Sequence, residues 1–138
     1  MPIDLTIVTP AGTRYHGQVD RVVVPGSEGD FGVLPGHERF LSPVRIGELE
    51  VDGGRRQWAA VSDGFAEVSG DKVVLMVDSC EFAPDIDKAR AERAKANAER
   101  ELEHLRNRQT EEHSFRMQEA ALQRALVRIQ VVSKHHAI

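Results

Sequence analysis

The sequence predicts an α+β protein: an N-terminal β-sandwich followed by a C-terminal antiparallel two-helix hairpin. Three observations carry this. All 11 glycines and all 6 prolines lie at or before Pro84, and none follows it. Apolar residues before Pro84 alternate with period two or form short β-branched runs. Beyond it they recur at helical intervals. The chain therefore divides into a sandwich, residues 1–84, and a helical arm, residues 85–138.

The first strand is marked by Ile3, Leu5 and Ile7, a second by Val22, Val23 and Val24, and a late one by Val73, Val74, Leu75, Met76 and Val77. Turn clusters separate such runs: "DGG" at 52–54, "SDG" at 62–64 and "SGDK" at 69–72. Short strands at this spacing indicate an all-β sandwich or barrel. "EVSGDKVVLMV" reads as a hairpin turning at Gly70-Asp71, where a positive φ is least unfavourable. Past Pro84, the residues Ala91, Ala94, Ala98, Leu102 and Leu105 follow intervals of 3, 4, 4 and 3, one face of a helix. Asp85 is placed to cap its start. "RQTEEHS" interrupts the pattern around Thr110, and a second helix carries Phe115, Leu122, Leu126 and Ile129 on one stripe. The short break favours an antiparallel hairpin.

Charge divides at the same point. Residues 1–84 carry 7 Lys+Arg against 13 Asp+Glu, net −6; residues 85–138 carry 11 against 9, net +2. The arm thus suits an acidic partner surface. Nucleic acid fits poorly, because the arm's charges interleave and stacking aromatics are scarce. Its first helix meets its neighbour mostly through alanines, each methyl contributing ~0.8 kcal/mol on burial against ~1.5–3 for a leucine. A stable platform bearing a marginally held arm is the layout of a switchable element. No apolar run approaches the ~20 residues that span a bilayer. The N-terminus lacks the basic and apolar regions of a secretory signal. A cytoplasmic protein, or one held at a membrane by a partner, is expected. Cys80, the single cysteine, reads as a small buried apolar residue.

The motifs argue against catalysis. The glycines of "GSEGDFG", Gly26, Gly29 and Gly32, space as G-x-x-G-x-x-G. A phosphate loop requires G-x-x-x-x-G-K-[ST] before a helix, yet no lysine precedes Lys72. Glu28, Asp30 and Glu38 would repel an anion. The loop is therefore read as turn chemistry, with Gly26, Gly29, Gly32 and Gly36 supplying unusual φ values. His104, His113, His135 and His136 lack metal-ligand spacing, and no metal site is expected. No nucleophile elbow occurs, and no enzymatic activity is expected of the chain alone. One constellation remains. Arg124 and Arg128 share a helix face. Across a hairpin they could converge on the start of the first helix, near Asp87, Arg90 and Ala91. That grouping suits either a polyphosphate site or ion pairs on a solvated face.

Taken together, "VVVPGSEGDFGVLPGH", "VSDGFAEVSGDKVVLMVD" and "DIDKARAERAKANAE" resemble the epsilon subunit of bacterial F-type ATP synthase, in order and over essentially the whole chain. The resemblance implies about ten strands before the hairpin and a non-catalytic rotor component at the cytoplasmic side of the cell membrane. It implies a sandwich gripping the gamma subunit and resting on the c-ring of a proton-translocating machine. Thr9, Asp30 and His37 align with c-ring- or gamma-facing positions. The arm would fold on the sandwich or extend into the alpha/beta catalytic head and inhibit hydrolysis. Some members of the family bind ATP on the folded hairpin. Their motif resembles Ile86-Asp87-Lys88-Ala89-Arg90-Ala91, with Glu81 before it and Arg124 and Arg128 opposite. A further arginine of those binders aligns with Asn97, a loss worth ~1.5–3 kcal/mol of charge-assisted contact. Weak ATP binding is the expectation. A free-standing ATP-sensing regulator is the alternative.

Overall fold

The computed structural model describes residues 2–106 and 112–135. The expected break at Thr110 lies outside the described residues. Ten strands come first: β1 (Ile3–Thr9), β2 (Gly12–Val19), β3 (Arg21–Gly26), β4 (Gly29–Val33), β5 (His37–Val44), β6 (Gly47–Asp52), β7 (Arg56–Val61), β8 (Gly64–Gly70), β9 (Lys72–Val77) and β10 (Cys80–Phe82). A 3-10 turn, Ala83–Asp85, leads into two helices, α1 (Lys88–Arg106) and α2 (Glu112–Lys134). This is the α+β architecture the sequence predicts. Among the described residues, no helix is long and apolar enough to cross a membrane.

The strands form one hydrogen-bonded path, β10-β7-β6-β3-β5-β8-β9-β1-β2, with β4 added to β3. Neighbours pair antiparallel except β1 and β9, which run parallel. The path folds back on itself: Tyr15 of β2 and Phe82 of β10, at its two ends, bring their rings to 5.8 Å. Folding turns one face of every strand inward. Ile3, Leu5 and Ile7 alternate into a core shared with Val22, Val24, Leu49, Val51, Val73 and Leu75, all essentially inaccessible. The period-two pattern is the physical cause, because a pleated strand sends alternate side chains to opposite faces.

The β8–β9 hairpin turns at Gly70, whose φ is 62°. The glycine-rich stretch is itself a hairpin, β3–β4, closed by the pair Gly26 and Gly29. Of the four glycines expected to hold unusual φ, Gly29 and Gly36 do. Gly26 does not, and serves by smallness instead: a Cβ there would meet the Phe31 ring at 2.9 Å. Gly32 shows neither feature.

α1 packs on α2, and α2 lies on the outer face of β6 and β7. In α1, Ala91, Ala98, Leu102 and Leu105 are buried, close to the predicted stripe. In α2 the buried residues are Ala125, Val127 and Val131, whereas Leu126 is 39% exposed and Phe115, Leu122 and Ile129 are half-buried. The shift has a cause. One helix must cover both α1 and the sandwich, so its buried stripe follows the second contact. A separate cluster of Ala60, Ala83, Ile86, Val127 and Val131 joins arm to sandwich, flanked by Ile46, Trp58 and Val132.

Cys80 is 3% exposed and belongs to the sandwich core. Burial pushes its thiol from 9.0 up to about 12, opposed by the nearby Arg14 guanidinium and aided by Glu81. The folded thiol thus stays protonated where an unfolded one ionises. Its contribution to stability is complete below about pH 9 and is lost as pH rises toward 12. The expected outcome is negligible reaction of the native chain with a thiol reagent near pH ~8 and prompt reaction in denaturant. Rapid labelling of the native chain would contradict the burial.

Candidate functional site

A cleft of about 400 Å³ opens where the arm meets the sandwich. Three local features build it. The 3-10 turn closes with Ile86 N–H donating to Ala83 O at 3.3 Å. Ile86 is extended and drives its side chain into the joint, leaving it 8% exposed. Helix α1 then begins on Asp87: its Oδ1 accepts from Arg90 N–H at 3.0 Å, and its carbonyl accepts from Ala91 N–H at 3.0 Å. The helix cap is therefore Asp87, not the expected Asp85, because the 3-10 turn occupies Asp85 and delays the helix.

Of the seven residues named from sequence, Glu81, Ile86, Asp87, Arg90, Ala91 and Arg128 line this cleft. Arg124 is half-buried on α2 and does not. Asn97 is exposed on α1 and accepts from Arg100. Arg128 Nε donates to Glu81 Oε1 at 2.5 Å, tying α2 to β10. Both side chains are about a third exposed, so solvent screens the pair and its net worth is modest.

The sequence reading missed Arg14, Ser79 and Asp85, which line the same cleft. Arg14 comes from β2, and only closure of the sheet, with Tyr15 against Phe82, carries it there. No local signal in the sequence could have placed it. The lining balances three guanidiniums, Arg14, Arg90 and Arg128, against three carboxylates, Glu81, Asp85 and Asp87. A phosphate-bearing ligand entering the cleft would meet Arg14 and Arg90 and compete with Glu81 for Arg128.

The partner positions are distributed. The Thr9 side chain is engaged within its own turn: Oγ1 donates to Gly12 O and accepts from Ala11 N–H, each at 3.2 Å. Asp30 is exposed and paired with Arg45. Strand register puts Thr9 and Asp30 toward one end of the strands, along the row Val8, Met76, Phe65, Pro43. His37 begins β5 at the other end, opposite Gly70, roughly 20 Å of strand away. The three do not form a single site.

Near the Thr9 and Asp30 end lies a feature the sequence reading missed. Leu41, Phe65 and Met76 are 63%, 51% and 45% exposed on the outward face of β5, β8 and β9. Phe65 stands directly beside Met76 in register. "VVLMV" reads as one continuous apolar run, which hides that Met76 faces out. Large apolar side chains clustered in solvent mark an interaction surface. The arm, docked on β6 and β7, leaves it uncovered.

Comparison with known proteins follows the same division. Residues 2–83 match the family described as ATP synthase, Delta/Epsilon chain, beta-sandwich domain. Residues 85–133 match ATP synthase, Delta/Epsilon chain, long alpha-helix domain. The ATP synthase epsilon chain of Geotalea uraniireducens (strain Rf4) is 43% identical over 133 residues, 96% of this chain and 94% of that one. That of Nitratidesulfovibrio vulgaris (strain DP4) is 45% identical over 130 residues, 94% of each. In fold, the chain resembles one in the Euglena gracilis mitochondrial ATP synthase OSCP/F1/c-ring structure. There the TM-score is 0.77 at 24% identity, covering 97% of this chain and 82% of that one.

The capping geometry yields a measurable expectation. Asp87→Ala removes the acceptor for Arg90 N–H and should destabilise the arm by ~1 kcal/mol, within ~0.5–2. Asp87→Asn, which keeps a capping oxygen, should lie near the parent in denaturant titrations followed by helical circular dichroism. Equal stability of all three would remove the cap assignment.

Proposed function

The chain belongs to the ATP synthase delta/epsilon family, and from that membership we propose that it works as the non-catalytic epsilon subunit of the central stalk of a proton-translocating F-type synthase. In this reading the sandwich couples the rotor, seated between the gamma subunit and the c-ring. The exposed face of Leu41, Phe65 and Met76 offers apolar area for that seating, with Asp30 beside it. The complex holds the chain at the cytoplasmic side of the cell membrane, peripherally.

The arm is the regulatory element. Docked, it lies on β6 and β7; released, it extends toward the alpha/beta catalytic head and restrains ATP hydrolysis. Its net charge of +2 suits an acidic surface there. ATP is the regulatory ligand, and the observation that carries this is the cleft at the joint. Six of the seven residues named for nucleotide line it, drawn from β10, from α1 and its approach, and from α2. Arg14 and Arg90, which form no ion pair among the described residues, supply cations for the phosphates. A ligand bound only to the docked state stabilises it by RT ln(1+[L]/Kd), ~2.7 kcal/mol at a hundredfold excess. That is enough to shift a marginally held arm. High ATP then keeps the arm down, and low ATP frees it to stop wasteful hydrolysis.

Two measurements test this. Catalytic heads reconstituted with the chain truncated after Pro84 should hydrolyse ATP faster than heads with the full chain; equal rates would remove the inhibitory role. Calorimetric titration of the full chain should give weak heat at millimolar ATP, abolished in Arg128→Ala. Asn97→Arg, which adds a guanidinium, should tighten binding about tenfold to a hundredfold. A silent titration of the parent chain would defeat the nucleotide assignment.

A further inference from the structure

The last turn of the arm is held differently from the rest. His135 follows α2 directly, and its N–H still donates to Val131 O at 2.9 Å, so the ring is mounted on the helix. It lies flat on Trp58, with ring centroids 3.9 Å apart and planes 3° from parallel. Its Nε2 meets Oε1 of Glu48. Both atoms are shut off from solvent; they meet at ion-pair distance, without hydrogen-bond geometry, and neither has a hydrogen-bonding partner among the described residues. Lys134 Nζ approaches the other Glu48 oxygen at 3.5 Å.

The seat belongs wholly to the sandwich. Glu48 stands on β6 opposite Ala60, and Glu50 opposite Trp58 on β7, all on the outer face. Arg56 lies 5.4 Å from the Trp58 ring centroid and is fixed by its Nε donating to Glu50 Oε1 at 2.8 Å. Trp58 is thus held from the sandwich side, and Glu48 is carried on the same sheet face, so both positions remain with the arm away.

We propose that His135 is the bolt of a latch, and that its seating on Trp58 and Glu48 decides whether the arm stays docked. The physical reason is an asymmetry. Glu48 Oε1 is buried with no hydrogen bond, and His135 Nε2 is the group set against it; removing His135 takes away that one compensation for its lost hydration, which is unfavourable. The arm's other attachments are small: a cluster rich in alanine and valine, and the screened Arg128–Glu81 pair. Undocking rehydrates Glu48 and is the nearest relief. The latch lies apart from the nucleotide cleft: Glu48, Trp58 and His135 do not line it. Its bearing on hydrolysis rests on the role proposed above for the arm; its effect on docking does not.

The test uses the full chain with spin labels on Glu67→Cys of the sandwich and Glu119→Cys of α2, both exposed positions, the buried Cys80 staying unlabelled. The parent should give one narrow distance distribution by electron–electron double resonance. His135→Ala should broaden and lengthen it. His135→Phe keeps an aromatic stack but abandons the carboxylate, and should release the arm as well. His135→Phe combined with Glu48→Leu removes the orphaned charge and should restore the narrow distribution, since an apolar pair can replace a buried ionic one. Rescue also requires a folded chain. An unchanged distribution in His135→Ala, or failure of the double variant to rescue, would overturn the latch. Release of the arm without stronger inhibition of hydrolysis in reconstituted heads would overturn the arm's inhibitory role and leave the latch standing.

Discussion

One small apolar joint makes this chain a single object. Ala60 on the sandwich, Ala83 and Ile86 on the connecting turn, and Val127 and Val131 on α2 exclude water from one patch of the outer sheet face. Only three of the five are larger than alanine. The sandwich core, by contrast, draws isoleucine, leucine and valine from strand after strand. Hydrophobic stabilisation scales with apolar area removed from water. The sandwich is therefore held internally far better than the arm is held on it, and this inequality is what a movable arm requires.

The polar chemistry gathers at the same joint. Ile86 and the 3-10 turn fix the direction in which α1 departs, Asp87 caps it, and Arg128 reaches back to Glu81. The cleft is consequently built from both units at once, with Arg14 and Glu81 on one wall and Arg90 and Arg128 on the other. A ligand there would be sensitive to docking by construction, because neither unit alone supplies the whole lining. At the far end of α2, His135 and Lys134 converge on one carboxylate. The long helix is thus attached by charges near both its middle and its end, with the valines between.

Much of this could be read from sequence where the signal is local. Ile3, Leu5 and Ile7 alternate because they line the core, and Gly70 turns a hairpin at positive φ. The stripe from Ala91 to Leu105 packs as its spacing says. The residues within 81–91 that the sequence reading named for nucleotide line one cleft because they are near neighbours in the chain. What escaped is what tertiary structure alone determines. Asp85 loses the cap to Asp87 because a 3-10 turn intervenes. Leu126 faces solvent because α2 serves two neighbours. Arg14 reaches the cleft only through closure of the sheet. Met76 faces outward from a strand whose apolar run gave no hint of it, and His135 meets Trp58 only once the arm is docked.

The most direct test of the unequal joint is native-state hydrogen exchange across the full chain at low denaturant. The account predicts that amides of α1 and α2 exchange through a partial opening of lower free energy, while β1, β6, β8 and β9 exchange only on global unfolding. A single shared opening free energy for helices and strands would contradict it.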